Sequence, residues 1–465
     1  MSPQIPTDVD LDAPLILVSA DDHIGPRLKE DLRDYCPKQY LEEFDDYTRA
    51  VEPISEARRN EVQKGVPRKL GQMFGPMAEH NALFEEKFRL NACSGHHDVH
   101  ERIRDMDRDG VACEVIYHGS QNGQHFPLLD PAGQSFNAMV FTPVGTPHEL
   151  ELAAVGQHIY NRWLADQCSV EPERHIGLAH LPMWDVDAAI KELEWAGAAG
   201  LKGVNFPGPK LGIKPYDHPA WEPFWSLCEE LGMSLNTHDG NNIGLDTIME
   251  GLPHTLLMIE MDELPRKMLP RMIFSGLFER HPKLRFLLTE LQMATSTWWT
   301  QTATRYDQLW EANLDRLRPQ LPHPPSEYLK ANVFLGNSLL FMVPKEVELA
   351  VRDGYASNLL WGSDYPHGEG SYQHPVSDDE EPMTTLGLRS AFAATPPAIA
   401  RDIIGETAVE VYGLDREKLL AVAKRINAPT LRHVGTPLES IPEVWKFMAR
   451  TQLPWPEYRG TLELV

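Results

Sequence analysis

Short apolar runs alternate along the chain with segments of helical period. The runs fall at 15–21 (LILVSAD), 111–119 (VACEVIYHG), 176–182 (IGLAHLP), 201–207 (LKGVNFP), 233–239 (MSLNTHD), 284–290 (LRFLLTE), 332–338 (NVFLGNS) and 358–364 (NLLWGSD). Each reads as a buried strand. Between them, residues 217–232 place Trp221, Phe224, Trp225, Cys228 and Leu231 on one helical face, with Asp217 as N-cap and Gly232 as C′ residue. Residues 185–200 repeat the design with Ala189, Ile190, Leu193, Trp195 and Ala196. Eight strands alternating with helices predict parallel pairing through right-handed crossovers, and eight is the number that closes a (β/α)8 TIM barrel. An open doubly wound sheet is the second choice, because no glycine-rich phosphate loop follows the first strand.

The barrel expectation gives the polar strand ends a meaning. Active sites of this fold lie at the C-terminal ends of the strands. There the sequence puts Asp21 and His23 after strand one, His118 after strand two, His238 after strand five, Glu290 after strand six and Asp364 after strand eight. Side chains two apart on a strand share a face, so Asp21 and His23 point together and Asp22 points away, as a helper or a solvent-facing turn residue. Two imidazoles and two carboxylates from strands one, five and eight (Asp21, His23, His238, Asp364) suit one divalent cation: zinc first, with manganese or iron(II) as alternatives.

Other histidines read as structural. His180 reads as packing, His281 as part of a turn with Pro282, and His96, His97 and His100 as a solvated loop. His367, three residues after Asp364, stays on the active rim. Trp298 and Trp299 read as helix core.

Length and charge narrow the classes. A chain of 465 residues accommodates one large domain with additions. The predicted division is an N-terminal extension (1–14), a barrel domain (15–425) carrying a lid insertion at 24–110, and a C-terminal arm (426–465). The Met-rich stretch 241–272 reads as a helical pocket wall or a dimer contact. The 43 basic and 68 acidic residues give a net charge of −25, which disfavours nucleic acid and anionic membranes as partners. Five dispersed cysteines form no paired motif, no signal peptide or membrane span is evident, and the cytoplasm is the expected compartment. A small-molecule substrate and a homodimer are the expected partners.

The order of SADDH (19–23), LNTHDG (235–240), GLFERHPKLRFLLTE (276–290), WGSDYPH (361–367) and IIGETAVEVYGLD (403–415) resembles the amidohydrolase-related branch of the amidohydrolase superfamily. Its relatives include metal-dependent hydrolases and non-oxidative decarboxylases of aminocarboxymuconate-semialdehyde and resorcylate type. The resemblance implies that Asp21, His23, His238 and Asp364 hold the metal. It also implies that Asp364 works on a metal-activated water while His118, Glu290 or His367 moves a proton. Two departures stand out: Glu290 occupies a strand-six position that is histidine in many members, and the only strand-four lysine, Lys202, sits at the opposite rim, so a mononuclear centre is expected. The expected activity is hydrolysis of a bulky, aromatic carbonyl compound. The alternative is decarboxylation of an aromatic or unsaturated acid, and the second alternative a non-catalytic ligand-binding barrel.

Overall fold

The strands form where the apolar runs predict them. The computed structural model describes residues 9–63, 90–120, 122–129, 145–209, 212–238, 265–290, 295–338, 344–368, 370–375, 377 and 380–440. Among these, β1 (Leu17–Ile24), β2 (Val111–His118), β3 (His175–Ala179), β4 (Gly203–Asn205), β5 (Ser234–His238), β6 (Phe286–Thr289), β7 (Val333–Ser338) and β8 (Leu359–Gly362) pair in sequence order, every pair parallel. The chain after β8 returns to β1, with the Asp364 amide donating to the Asp21 carbonyl at 2.7 Å and the His23 amide to the Tyr365 carbonyl at 2.6 Å. That closure makes a (β/α)8 barrel. β1 runs past its predicted end because a register shift between Ser19 and Asp22 lets pairing continue to Ile24.

The barrel is filled. Alternate residues Ile16, Val18 and Ala20 pack with Val115, Tyr117, Ile176, Leu178, Leu287 and Leu360 in one buried cluster. A larger cluster lies between strands and helices, anchored by Trp221 and Trp225. Both come from the predicted 217–232 segment, observed as a 3-10 turn Pro219–Trp221 leading into an α-helix Glu222–Leu231 that Gly232 ends at φ 66°. The N-terminal cap is His218, whose Nδ1 accepts the Ala220 amide at 3.1 Å, while Asp217 is held by Arg271 at 3.0 Å. Asp185 caps helix Val186–Ala198 as predicted, accepting from Ala188 at 3.0 Å. Trp299 is buried and stacks on Tyr355, as a core residue should.

Within the predicted insertion at 24–110, the described residues are mainly helical, including Leu41–Gln63 and Val99–Asp109; 64–89 lie outside the described residues. His96 is buried within it, not solvated as predicted, because Ser120 Oγ and the Asn91 carbonyl occupy its two ring nitrogens at 3.0 and 2.8 Å. Most of the Met-rich stretch and residues 441–465 also fall outside the described residues. The start of the predicted arm meets the N-terminal segment: Pro14 bridges Thr430, and Asp12 pairs with Arg432 at 2.6 Å. Among the described residues no helix is long and apolar enough to cross a membrane.

One buried ionic network braces β1 from outside the barrel. Arg102, on helix Val99–Asp109, grips Glu114 of β2 through two bonds of 2.7 and 2.6 Å and donates to the His23 carbonyl at 2.7 Å. His175 Nδ1 lies 2.8 Å from the same carboxylate, and all three side chains are fully buried. Burial opposes the charge on Glu114, but Arg102 and His175 hold its pKa down to about 2. Removing one member leaves a buried charge uncompensated, so Glu114→Gln is expected to lose about 3–5 kcal/mol of stability at pH 7, read by denaturant unfolding. A depressed carboxylate pKa contributes stability above the unfolded value of 4.5 that disappears as pH falls through the folded one. The gap between parent and variant is therefore expected to close between pH 4.5 and 2.

Candidate active site

The β1 end carries Asp21 and His23 into the top of the barrel because the register shift between Ser19 and Asp22 moves the inward side from Ile16, Val18 and Ala20 to these two residues. Asp22 points the other way, yet it is buried and not in solvent. Its Oδ1 accepts from Ser19 Oγ (2.9 Å), Ser363 Oγ (2.6 Å) and the Tyr365 amide (2.8 Å), so it clamps β1 to the turn after β8. Gly362 allows the close approach: a Cβ there would lie 2.7 Å from that of Asp21. These two contacts set Asp21 and Asp364 side by side.

Six of the predicted residues converge. His238 Nε2, from the end of β5, lies 3.2 Å from Asp21 Oδ1 and 2.9 Å from Glu290 Oε2. His23 Nε2 lies 3.4 Å from Asp21 Oδ1 and 3.3 Å from Asp364 Oδ1, and His367 Nδ1 lies 2.8 Å from Asp364 Oδ1. Asp21, His23, His238 and Glu290 each offer one atom within 4.8 Å of the others, and His23, Glu290, Asp364 and His367 form a second such set. Glu290 and Asp364 adopt left-handed backbone, φ 54° and 57°. That conformation costs a non-glycine residue about 1–2 kcal/mol and recurs at functional sites.

The polar atoms are arranged for a cation. The His23 Nδ1–H faces the His118 carbonyl at 3.5 Å, which leaves Nε2 as an electron-pair donor aimed at two carboxylate oxygens. Burial and the neighbouring His367 push the His23 pKa down to about 4, so the ring is neutral at physiological pH. His23 Nε2, Asp21 Oδ2 and Asp364 Oδ2 are buried without a hydrogen-bond partner. Lone pairs facing lone pairs in a dry interior are destabilising unless a positive charge lies between them. A divalent ion fits this donor set.

Electrostatics separate the carboxylates. Against the effect of burial, His238 and His23 hold Asp21 well below the usual range. Glu290 is pushed up to about 7 by burial and by Asp364, and Asp364 is also raised, chiefly by burial. His367 Nε2 faces the Gly119 carbonyl at 2.9 Å and so carries a hydrogen there. Its Nδ1 and Asp364 Oδ1 therefore share one further proton between them.

His118 does not join the group. Tyr117, the residue before it, faces His238 and His23 with ring centroids 4.8 and 5.9 Å away, so strand alternation turns His118 outward. Its ring sits among Phe126, Tyr160 and His180, and burial pushes its pKa far below the usual value. His118, expected from the sequence to move a proton, thus ends the same rim of the barrel with its ring on the other face from the group. His281 is structural, buried between Glu222 and Glu229. Three participants escaped the sequence reading: Tyr117 as the floor, Asp22 as a buried clamp, and Arg102. Serines 19 and 363, each close before a site aspartate, were the available signal for the clamp.

The amidohydrolase family model matches residues 131–414, more than half the chain. The chain belongs to the amidohydrolase family. Within this family it is 34% identical over 137 residues to gamma-resorcylate decarboxylase of Rhizobium sp. (strain MTP-10005), a match covering 28% of this chain and 42% of that enzyme. The match thus spans under half the length of that relative. It is 26% identical over 341 residues to 2-amino-3-carboxymuconate-6-semialdehyde decarboxylase of Dictyostelium discoideum, covering 73% of this chain and 83% of the relative. The crystal structure of 5-carboxyvanillate decarboxylase from Novosphingobium aromaticivorans, complexed with manganese and 4-hydroxy-3-methoxy-5-nitrobenzoic acid, superposes with a TM-score of 0.53 at 19% identity, covering 89% of this chain and all of that one. That likeness is one of fold.

Proposed function

We propose that this amidohydrolase-family protein is a metal-dependent, non-oxidative decarboxylase of an aromatic or unsaturated carboxylic acid. The observation that carries the reading is the buried set of unpartnered donors, His23 Nε2, Asp21 Oδ2 and Asp364 Oδ2, at the C-terminal rim of the barrel. The decarboxylase names of the two sequence relatives support a carboxy-lyase over the hydrolase that the sequence alone favoured. Asp21, His23 and His238 would hold the ion with Asp364 beside them; manganese in the related fold supports it as a candidate besides zinc and iron(II). When bound, the ion supplies a Lewis acid that grips a substrate oxygen and makes the ring easier to protonate.

The side chains supply the rest. The proton shared by Asp364 and His367 passes to the ring carbon that bears the carboxylate. The carbon–carbon bond then breaks, its electron pair restores the ring, and carbon dioxide leaves. Solvent returns a proton to the pair. Burial of the site keeps bulk water from competing, with the Tyr117 ring as floor. The segment around Asn91 would cap the site: Asn91 Nδ2 donates to the carbonyls of Pro366, His367 and Tyr372 at 3.2, 3.3 and 3.1 Å, tying it to the β8 turn. Residues 1–14 and 426–465 would serve as flanking segments of a cytoplasmic homodimer, with a small molecule as the only other partner.

The metal-loaded protein is tested in oxygen-18 water against aromatic acids, aryl esters and aryl amides. A lyase releases one carbon dioxide per acid consumed and leaves the esters and amides intact. Solvent oxygen entering a product carboxylate, without carbon dioxide, overturns the decarboxylase reading in favour of hydrolysis.

A further inference from the structure

We infer that Glu290 is itself a ligand of the divalent ion, and that it makes the centre a carboxylate-dominated site favouring a hard, oxygen-preferring ion of manganese type over zinc. This rests on the metal-binding reading above and goes beyond it in naming what selects the ion.

Geometry places Glu290 on the ion's side of His238. Its Oε2 lies 2.9 Å from His238 Nε2, the same ring nitrogen that Asp21 Oδ1 approaches at 3.2 Å. A carboxylate that merely oriented the ring would approach the other nitrogen, away from the ion. Glu290 also belongs to both sets of convergent donors. Its position is enforced: the amide donates to the Gly336 carbonyl of β7 at 3.0 Å, and φ of 54° turns the residue off the strand into the centre.

The charge count then sets the preference. Asp21, Glu290 and Asp364 bring three carboxylates against the two imidazoles of His23 and His238, all buried. Oxygen donors suit manganese and magnesium, whereas imidazole suits zinc, so exchanging this one oxygen ligand for nitrogen moves the balance.

The test is competitive binding of manganese and zinc to the folded parent, Glu290→His and Glu290→Gln, with X-ray absorption of the zinc-loaded forms. Glu290→His is expected to raise the zinc-to-manganese affinity ratio by at least about tenfold and to raise the imidazoles on the ion from two to three. Glu290→Gln is expected to weaken manganese more than zinc, which covers a histidine variant that fails to fold. An imidazole count that stays at two, with the affinity ratio unmoved in both variants, overturns the inference. None of these readouts depends on turnover, so a failure of the decarboxylase reading leaves them interpretable. A parent that binds neither ion overturns the metal-binding reading and this inference together.

Discussion

Asp364→Asn is expected to abolish turnover while leaving the fold in place. Asp364 Oδ1 and His367 Nδ1 lie 2.8 Å apart and hold one proton between them, with the far ring nitrogen fixed on the Gly119 carbonyl. An amide keeps the shape of the carboxylate but cannot pass that proton on, and a positioned proton donor contributes about 10²–10⁴-fold to rate. The loss should therefore fall on kcat with little change in KM. In deuterium oxide the parent's product should carry one deuterium at the carbon that lost its carboxylate. A variant retaining more than about a tenth of the parent's kcat would remove Asp364 from the proton path.

His238→Ala has the other large expected effect, on the ion itself. His238 is the one imidazole contributed from β5, and its Nε2 touches both Asp21 and Glu290. Burial works against a charge on this ring, yet Glu290 and Asp21 hold its pKa well above the usual value, so deleting it leaves two buried carboxylates without their shared partner. Loss of a ligand should exceed the roughly 10–100-fold penalty measured for residues that only orient ligands. Added manganese or zinc should raise the parent's Tm, because an ion that binds only the folded state stabilises by mass action. The variant, folded by circular dichroism, should show no such rise at the same concentration. An equal rise in both would place the ion elsewhere.

The fold was legible because its signal is periodic. All eight apolar runs became strands, since a strand buried on both faces leaves an uninterrupted run whatever surrounds it. Strand ends were harder to place. β4 shrinks to Gly203–Asn205, and β1 extends through a register shift, because pairing with neighbours and not local composition decides where a ladder stops.

The site was legible at its ligand candidates and less so around them. Asp21, His23, His238, Glu290, Asp364 and His367 converge because each lies at or just past a strand end on the same rim. His118 shows the limit of that rule: strand position names the rim, and only alternation with Tyr117 decides the face. Asp22 shows another limit, for a carboxylate flanked by polar residues reads as a turn until the serines that bind it, one of them 341 residues away in sequence, are seen in contact. The Arg102–Glu114 pair was invisible for the same reason. An isolated charge inside a helix or strand carries no local sign that its partner is buried with it.

That Asp21, His23, His238 and Asp364 surround one divalent ion is tested most directly by elemental analysis of the purified parent, joined to anomalous diffraction at the edge of the metal found. The expected result is close to one equivalent of manganese, zinc or iron and a single anomalous peak among those four side chains. A parent that remains free of metal after incubation with each ion, or a peak away from these residues, would contradict it.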